Sequence, residues 1–178
     1  GSGGGNSGNG SSGAAGDAFA RLNANAVGDI SASVHAAGGS GAATSSSDSD
    51  STSGGLATIQ PSSAVSTGTG KTVELRAYQN GGTGGGYQGL SGSAGNGADS
   101  SMTNLVSGSA PGGTLRLEQR ALGGSGGAVI TGIAGSGGDA LSDLAVSQTG
   151  EAALLASVVA NSGQSRNRRH PPGFLAPP

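Results

Sequence analysis

The feature that most limits what this chain can fold into is that it repeats itself. Residues 72–80 read Thr-Val-Glu-Leu-Arg-Ala-Tyr-Gln-Asn and are followed by Gly-Gly-Thr-Gly-Gly. Forty-two residues later, without a gap, residues 114–122 read Thr-Leu-Arg-Leu-Glu-Gln-Arg-Ala-Leu and are followed by Gly-Gly-Ser-Gly-Gly. Residues 81–108 align without gaps on residues 123–150, matching Gly95 to Gly137 and Gly108 to Gly150. Residues 1–28 align on the same template, with Gly16, Asp17 and Ala18 on Gly138, Asp139 and Ala140. Residues 38–68 are the same unit with extra residues in a Ser/Asp stretch. The units run over about 1–37, 38–80, 81–122 and 123–161 of a domain at 1–163, and a fifth breaks off at Ser162 and Gly163. A unit of this size cannot bury an apolar face alone, so neighbouring units must cover one another.

Within each unit the apolar residues alternate. Ile30, Val73, Leu115 and Leu154 share one column, Ala32, Leu75, Leu117 and Ala156 the next but one, and Val34, Ala77, Gln119 and Val158 a third. A period of two is that of a half-buried strand. The intervening positions put Glu74 beside Arg116 and Arg76 beside Glu118 if neighbouring units lie in register. Opposite charges across adjacent strands contribute ~0.2–1 kcal/mol, and like charges cost a similar amount. The exchange of sign between these two units therefore favours lateral stacking.

Composition says what kind of stack this is. Aromatic residues make up 2% of the chain and charged residues 10%, while glycine alone supplies 39 of 178 residues. A core of large side chains cannot be built from that. What remains is disorder, or a thin repetitive structure closed by small side chains and backbone hydrogen bonds. Disorder normally accompanies high charge or strong polarity, which are missing here, and the apolar columns argue for order. Glycine falls short of one residue in three and lacks the collagen period. A polyproline II bundle suits the Gly-Gly-Ser-Gly-Gly tracts but not the apolar segments, whose period is two. The fold expected is all-β, a repetitive β-solenoid-like stack of ~40-residue Gly-rich units, with glycine at corners that need positive φ.

The remaining segments follow from local composition. Strands are expected at 56–65, with Pro61 marking an edge or bend, and at 87–90, 101–106, 129–133, 141–146 and 152–159. The run Glu-Ala-Ala-Leu-Leu-Ala-Ser from Glu151 favours a helix locally, but its place in the repeat argues for strand. Residues 164–178 break the pattern with Arg166, Arg168, Arg169, His170, Phe174, Leu175 and four prolines, and read as an extended basic tail. Five of the eight basic residues and all ten acidic ones precede it, so the body is net −5 and the tail +3. That balance is no nucleic-acid footprint. No run of 18 apolar residues is present to span a membrane, and no cysteine can form a disulfide or a thiolate metal site. The sequence starts at a repeat boundary without Met, as expected of a processed product or a fragment.

Few motifs carry chemistry. Gly68-Thr-Gly-Lys-Thr72 has the end of a phosphate-binding loop, but Val65 stands where its first glycine belongs and a strand follows where a helix is required. Residues 45–51, Ser-Ser-Ser-Asp-Ser-Asp-Ser, read as a solvated loop, with calcium binding as the sharper alternative. Residues 135–141 resemble a calcium-binding nonapeptide, but without tandem copies. His35 and His170 have no partners at metal-ligand spacing, and Asp139 and Asp143 need not converge on a strand. No catalytic constellation, resident cofactor or metal site is expected.

The alternation of GGxGG loops, a short strand and a GxGGxA segment over residues 1–163 resembles large Gly/Ala/Ser-rich repeat proteins secreted by Gram-negative bacteria, some carrying a PEP-CTERM sorting signal. The sorting tripeptide and apolar C-terminal helix of that signal are not in this sequence. The resemblance implies a β-solenoid and a surface or matrix location. The function expected is a non-catalytic subunit of a self-assembling extracellular filament or matrix, a homopolymer. Arg166, Arg168, Arg169, Phe174 and Leu175 are the expected self-association residues, so deleting residues 164–178 should abolish assembly. The alternative is an adhesin, or a polysaccharide- or ice-binding module.

Overall fold

The computed structural model describes residues 1–5, 12–45, 50–89, 92–147 and 150–166, and the chain is all-β, with no helix among them. Eleven strands form: β1 (Ala18–Ala20), β2 (Asn23–Ala26), β3 (Ile30–Ala37), β4 (Ala57–Ile59), β5 (Ser62–Ser66), β6 (Thr72–Asn80), β7 (Ser100–Thr103), β8 (Val106–Ser109), β9 (Thr114–Leu122), β10 (Ala140–Asp143) and β11 (Ala153–Asn161). All paired strands are parallel. The largest sheet has the order β11-β9-β6-β3; a second has β2-β5-β8; β1-β4 and β10-β7 form two-stranded pairs. Paired strands therefore lie three apart in chain order, except β9 and β11, which are two apart.

The columns read from the sequence are the columns of the large sheet. Ile30 lies opposite Val73, Val73 opposite Leu115, and Leu154 opposite Leu115. Their alternate residues turn inward against the other sheets, where Ile59, Leu75, Met102, Val106 and Leu117 make one apolar core. Corners between strands are made by residues suited to them. Pro61 separates β4 from β5, Asn104 turns at φ 53° between β7 and β8, and Gly70 and Gly112 turn at φ 70° and 63° before β6 and β9. The Gly68-Thr-Gly-Lys-Thr72 segment is thus a corner.

Between β3 and β4, β6 and β7, and β9 and β10 the chain leaves this core and returns through the glycine tracts. These tracts follow a period of three. Gly81 and Gly84 donate to Leu122 and Ser125 in the next tract at 2.8 and 2.9 Å. Gly82 and Gly85 donate instead to Gly55 and Thr52 of a returning segment at 3.0 and 2.9 Å. Thr83 accepts from Gly41, and its side chain faces solvent. Gly123 and Gly126, then Gly124 and Gly127, repeat the pattern. Three residues per turn with every bond made to a neighbour is the arrangement of polyproline II segments packed in a bundle. Gly82 and Gly124 are glycines for closeness: a Cβ on Gly124 would collide with the Gly82 carbonyl. Neither residue has positive φ; Gly70 and Gly112, which do, stand at corners, where positive φ is expected of glycine.

Three expectations are corrected. Residues 87–89 and 129–133 are not strands, Leu90 lying outside the described residues; Tyr87, Val129 and Ile133 make only isolated bridges. Residues 101–106 and 141–146 are strands only in part, because Asn104 breaks the first and the second ends at Asp143. The gapless alignment of residues 81–108 on 123–150 slips by two beyond the tip of the tract. Ser100 lies opposite Ala140, not opposite Ser142 as the alignment requires. The tip absorbs the difference, and glycine-rich sequence gives alignment little to hold on to.

Candidate functional site

The outward face of the large sheet gathers five charged side chains on two neighbouring strands. Alternate residues of β6 and β9 present Glu74, Arg76 and Tyr78 beside Arg116, Glu118 and Arg120. Glu74 lies opposite Arg116 along the strands, yet its carboxylate binds Arg76 two residues along its own strand, at 2.7 Å. Arg76 Nε also meets Glu118 at 3.6 Å, across the strands. Of the two cross-strand charge pairs drawn from the sequence, only Arg76–Glu118 closes as an ion pair. Residues i and i+2 share a face and their long side chains reach each other, so Glu74 has a nearer cation than Arg116. The Glu74 hydrogen bond and charge hold the Arg76 guanidinium further above its already high range. Burial, then the Glu118 charge and hydrogen bond, push the Tyr78 phenol up. Tyr78 also faces His35 at 5.6 Å between ring centroids.

Beside this cluster runs an open groove of about 310 Å³, lined by Glu74, Arg76, Arg116, Glu118, Leu155 and Ser157 among others. It can hold a small polar or zwitterionic group. It offers no nucleophile paired with a base. His35 packs against the Tyr78 ring, and Asp139, just before β10, lies ~13 Å by strand rise from Asp143 at its end. Among the described residues no cluster of His, Cys, Asp or Glu is placed to hold a metal, and no helix is long and apolar enough to cross a membrane. The calcium alternative at residues 45–51 falls largely outside the described residues; Asp50 accepts from the Ser93 amide at 2.9 Å.

The second candidate surface is the β11 edge. In the third apolar column Val34, Ala77 and Gln119 are 5%, 0% and 0% exposed, whereas Val158 is 46% exposed. Leu155 is 47% exposed. Both residues stand on the outermost strand, with β9 on one side only. β11 carries no charge and no proline over its nine residues, and neither does β3 at the opposite edge. Edge strands usually carry such residues to block pairing with another chain. Arg166 is exposed just beyond β11; Arg168, Arg169, Phe174 and Leu175 lie outside the described residues.

Two positioning devices were not read from the sequence. Gln79 and Gln119 are buried and tie the large sheet to the opposite corners. Gln119 Oε1 accepts from the Leu105 amide at 3.0 Å, and its Nε2 donates to the carbonyls of Met102 and Asp143 at 2.9 and 3.0 Å. Gln79 does the same for the Ile59 amide and the Ser101 carbonyl. The polar exception in the third column was the available signal. The other device is a set of Asp and Asn side chains at corners, each accepting from an amide about 40 residues ahead. Asp17 receives Leu56, Asp29 receives Thr72, Asp99 receives Asp139 and Asn104 receives Ala145, all at 2.7–2.8 Å. These bonds fasten each segment to the one about 40 residues on. No protein-family model, no curated protein and no solved structure matches this chain.

Proposed function

We propose that this chain is a β-solenoid of stacked Gly-rich circuits and serves as a non-catalytic subunit of a self-assembling extracellular or cell-surface filament or matrix. The observation that carries this reading is the β11 edge: nine residues without charge or proline, among them the half-exposed Leu155 and Val158. A flat apolar edge of that length favours pairing with a further strand. An end-to-end contact uses different surfaces on the two partners, so it propagates unless it closes into a ring. The test is sedimentation velocity and negative-stain microscopy of the 178-residue protein across a concentration series. Filaments or a ladder of linear oligomers are expected. Monodisperse monomer throughout the series would sink the reading.

A second reading, an adhesin-type module that binds acidic polysaccharide, draws on the groove beside Arg116. That guanidinium forms no ion pair with the facing Glu74, which leaves it available to a ligand carboxylate. Retention on an acidic polysaccharide that survives Arg116→Ala unchanged would remove it.

A further inference from the structure

The two sides of the stack are complementary in a way that defines one junction. At the corners before β1 and β7, a carboxylate accepts from the amide of the residue in register about 40 residues on: Asp17 accepts from Leu56, and Asp99 from Asp139, whereas Leu56, before β4, has no carboxylate to offer. On the β11 side, Asp139 is exposed, and its carboxylate receives no hydrogen bond among the described residues. On the β3 side, the Asp17 amide donates to no carboxylate among the described residues; the Asp99 amide donates to none either, because Leu56 stands before it. The acceptor that begins the next bond lies at one side and its donor at the other.

The glycine segments add a second correspondence. Gly16 donates to the Gly1 carbonyl at 2.8 Å, as Ala98 donates to Gly82 and Gly138 to Gly124. Residues 1–5 thus hold the outgoing place below the returning residues 12–16. Gly163 donates to Gly138 at 2.8 Å, as Gly124 donates to Ala98, and Gln164 accepts from Gly126 as Ser125 accepts from Gly84. Residues 162–166 therefore hold the same outgoing place on the β11 side. Two copies stacked in register cannot both fill it.

We propose that copies of this chain join head to tail with β11 of one alongside β3 of the next, parallel and in the internal register. Residues 162–166 of the first copy take the outgoing place that residues 1–5 occupy in the second. The junction sets Leu154 beside Ile30, Ser157 beside Ser33 and Val158 beside Val34, continuing the pairing of Leu115 with Val73 and of Val73 with Ile30. The Asp17 amide of the second copy donates to the Asp139 carboxylate of the first. No charge meets charge at the new strand pair, because both edge strands lack them. The occupant of the edge is fixed as a second copy by this matching of register, vacant acceptor and vacant donor. The inference rests on the filament reading and specifies its contact.

The chain has no cysteine, so cross-linking tests the register directly. Ser33 and Ser157 are both exposed and outward. In parallel strands directly opposed residues lie ~4.8 Å apart, against ~8 Å for a neighbour displaced by two residues. Mild oxidation of the double variant Ser33→Cys, Ser157→Cys is expected to give a ladder of disulfide-linked multimers. The pair Ser31→Cys, Ser157→Cys should give at least about tenfold less. Stronger linkage in the displaced pair, while filaments still form, overturns this junction and leaves the filament reading standing; an absence of any assembly removes both. Deleting residues 1–5 is the companion measurement, free of cysteine. It should lower the concentration at which assembly begins, since nothing then competes with residues 162–166. An unchanged or raised threshold overturns the exchange.

Discussion

Residues 72–80 and residues 81–86 are continuous in the chain and are built on different rules. In the first, every second side chain is buried, and Val73, Leu75 and Ala77 are wholly so. In the second, no side chain is larger than threonine, and burial recurs every third residue, at Gly82 and Gly85. The strand half gains from removing apolar surface from water, ~25 cal/mol per Å². The glycine half has almost no such surface. It holds together by amide-to-carbonyl bonds between segments, each contributing ~0.5–1.5 kcal/mol net, and by a chain conformation that unfolded backbone already favours. One half resists loss of buried contact area and burial of charge; the other tolerates neither added volume nor lost backbone bonds. Glycine is demanded in the second half for the space it leaves.

That contrast can be broken experimentally. Gly124→Val should have the largest effect, destabilising by at least ~4 kcal/mol or preventing folding, because the rigid Gly82 carbonyl stands where Cβ must go. Denaturant unfolding reads it, and a cost below about 1 kcal/mol would show that the tracts are looser than their hydrogen bonds imply. Leu75→Ala should cost ~3 kcal/mol by leaving a cavity in the core, whereas Thr83→Ala, of similar chemistry to a surface change, should stay within ~0.5 kcal/mol. Equal costs for the two would erase the distinction between the halves. Gln119→Leu should cost ~2 kcal/mol by stranding the Leu105 amide and the Met102 and Asp143 carbonyls, although leucine is the more apolar residue. A stabilised variant would mean that water reaches those corners.

The smallest effect is on alkaline stability. The Tyr78 phenol has its pKa raised in the fold, so the folded state binds that proton more tightly than the unfolded state does. Its contribution is therefore fully present below the ordinary value of 10.0 and is lost as pH rises through the elevated folded value. Tyr78→Phe should flatten the fall of melting temperature above that point and leave neutral pH unaffected. An unchanged alkaline limb would place the cause elsewhere.

Much of this architecture was legible in advance. The period of two in residues 72–80 and 114–122 marks strands, and the spacing of the copies marks which strands lie together, because a repeating apolar face has only its own copies to cover it. Pro61 was readable as a bend since it cannot donate to a ladder. Tyr87 and Val129 were misread because apolar residues at the tip of a glycine tract resemble a short strand; they form a small separate cluster with Ala94 instead.

The sequence by itself determined the interval between paired strands, their apolar columns and the neighbours each column would have, since these depend only on residue type and spacing. Tertiary structure alone decided the period of three in the glycine tracts, the choice of Arg76 over Arg116 by Glu74, and the use of Gln119 as a bridge. Those depend on which carbonyl, carboxylate or amide lies within hydrogen-bond reach in space, and glycine carries no side chain to announce it.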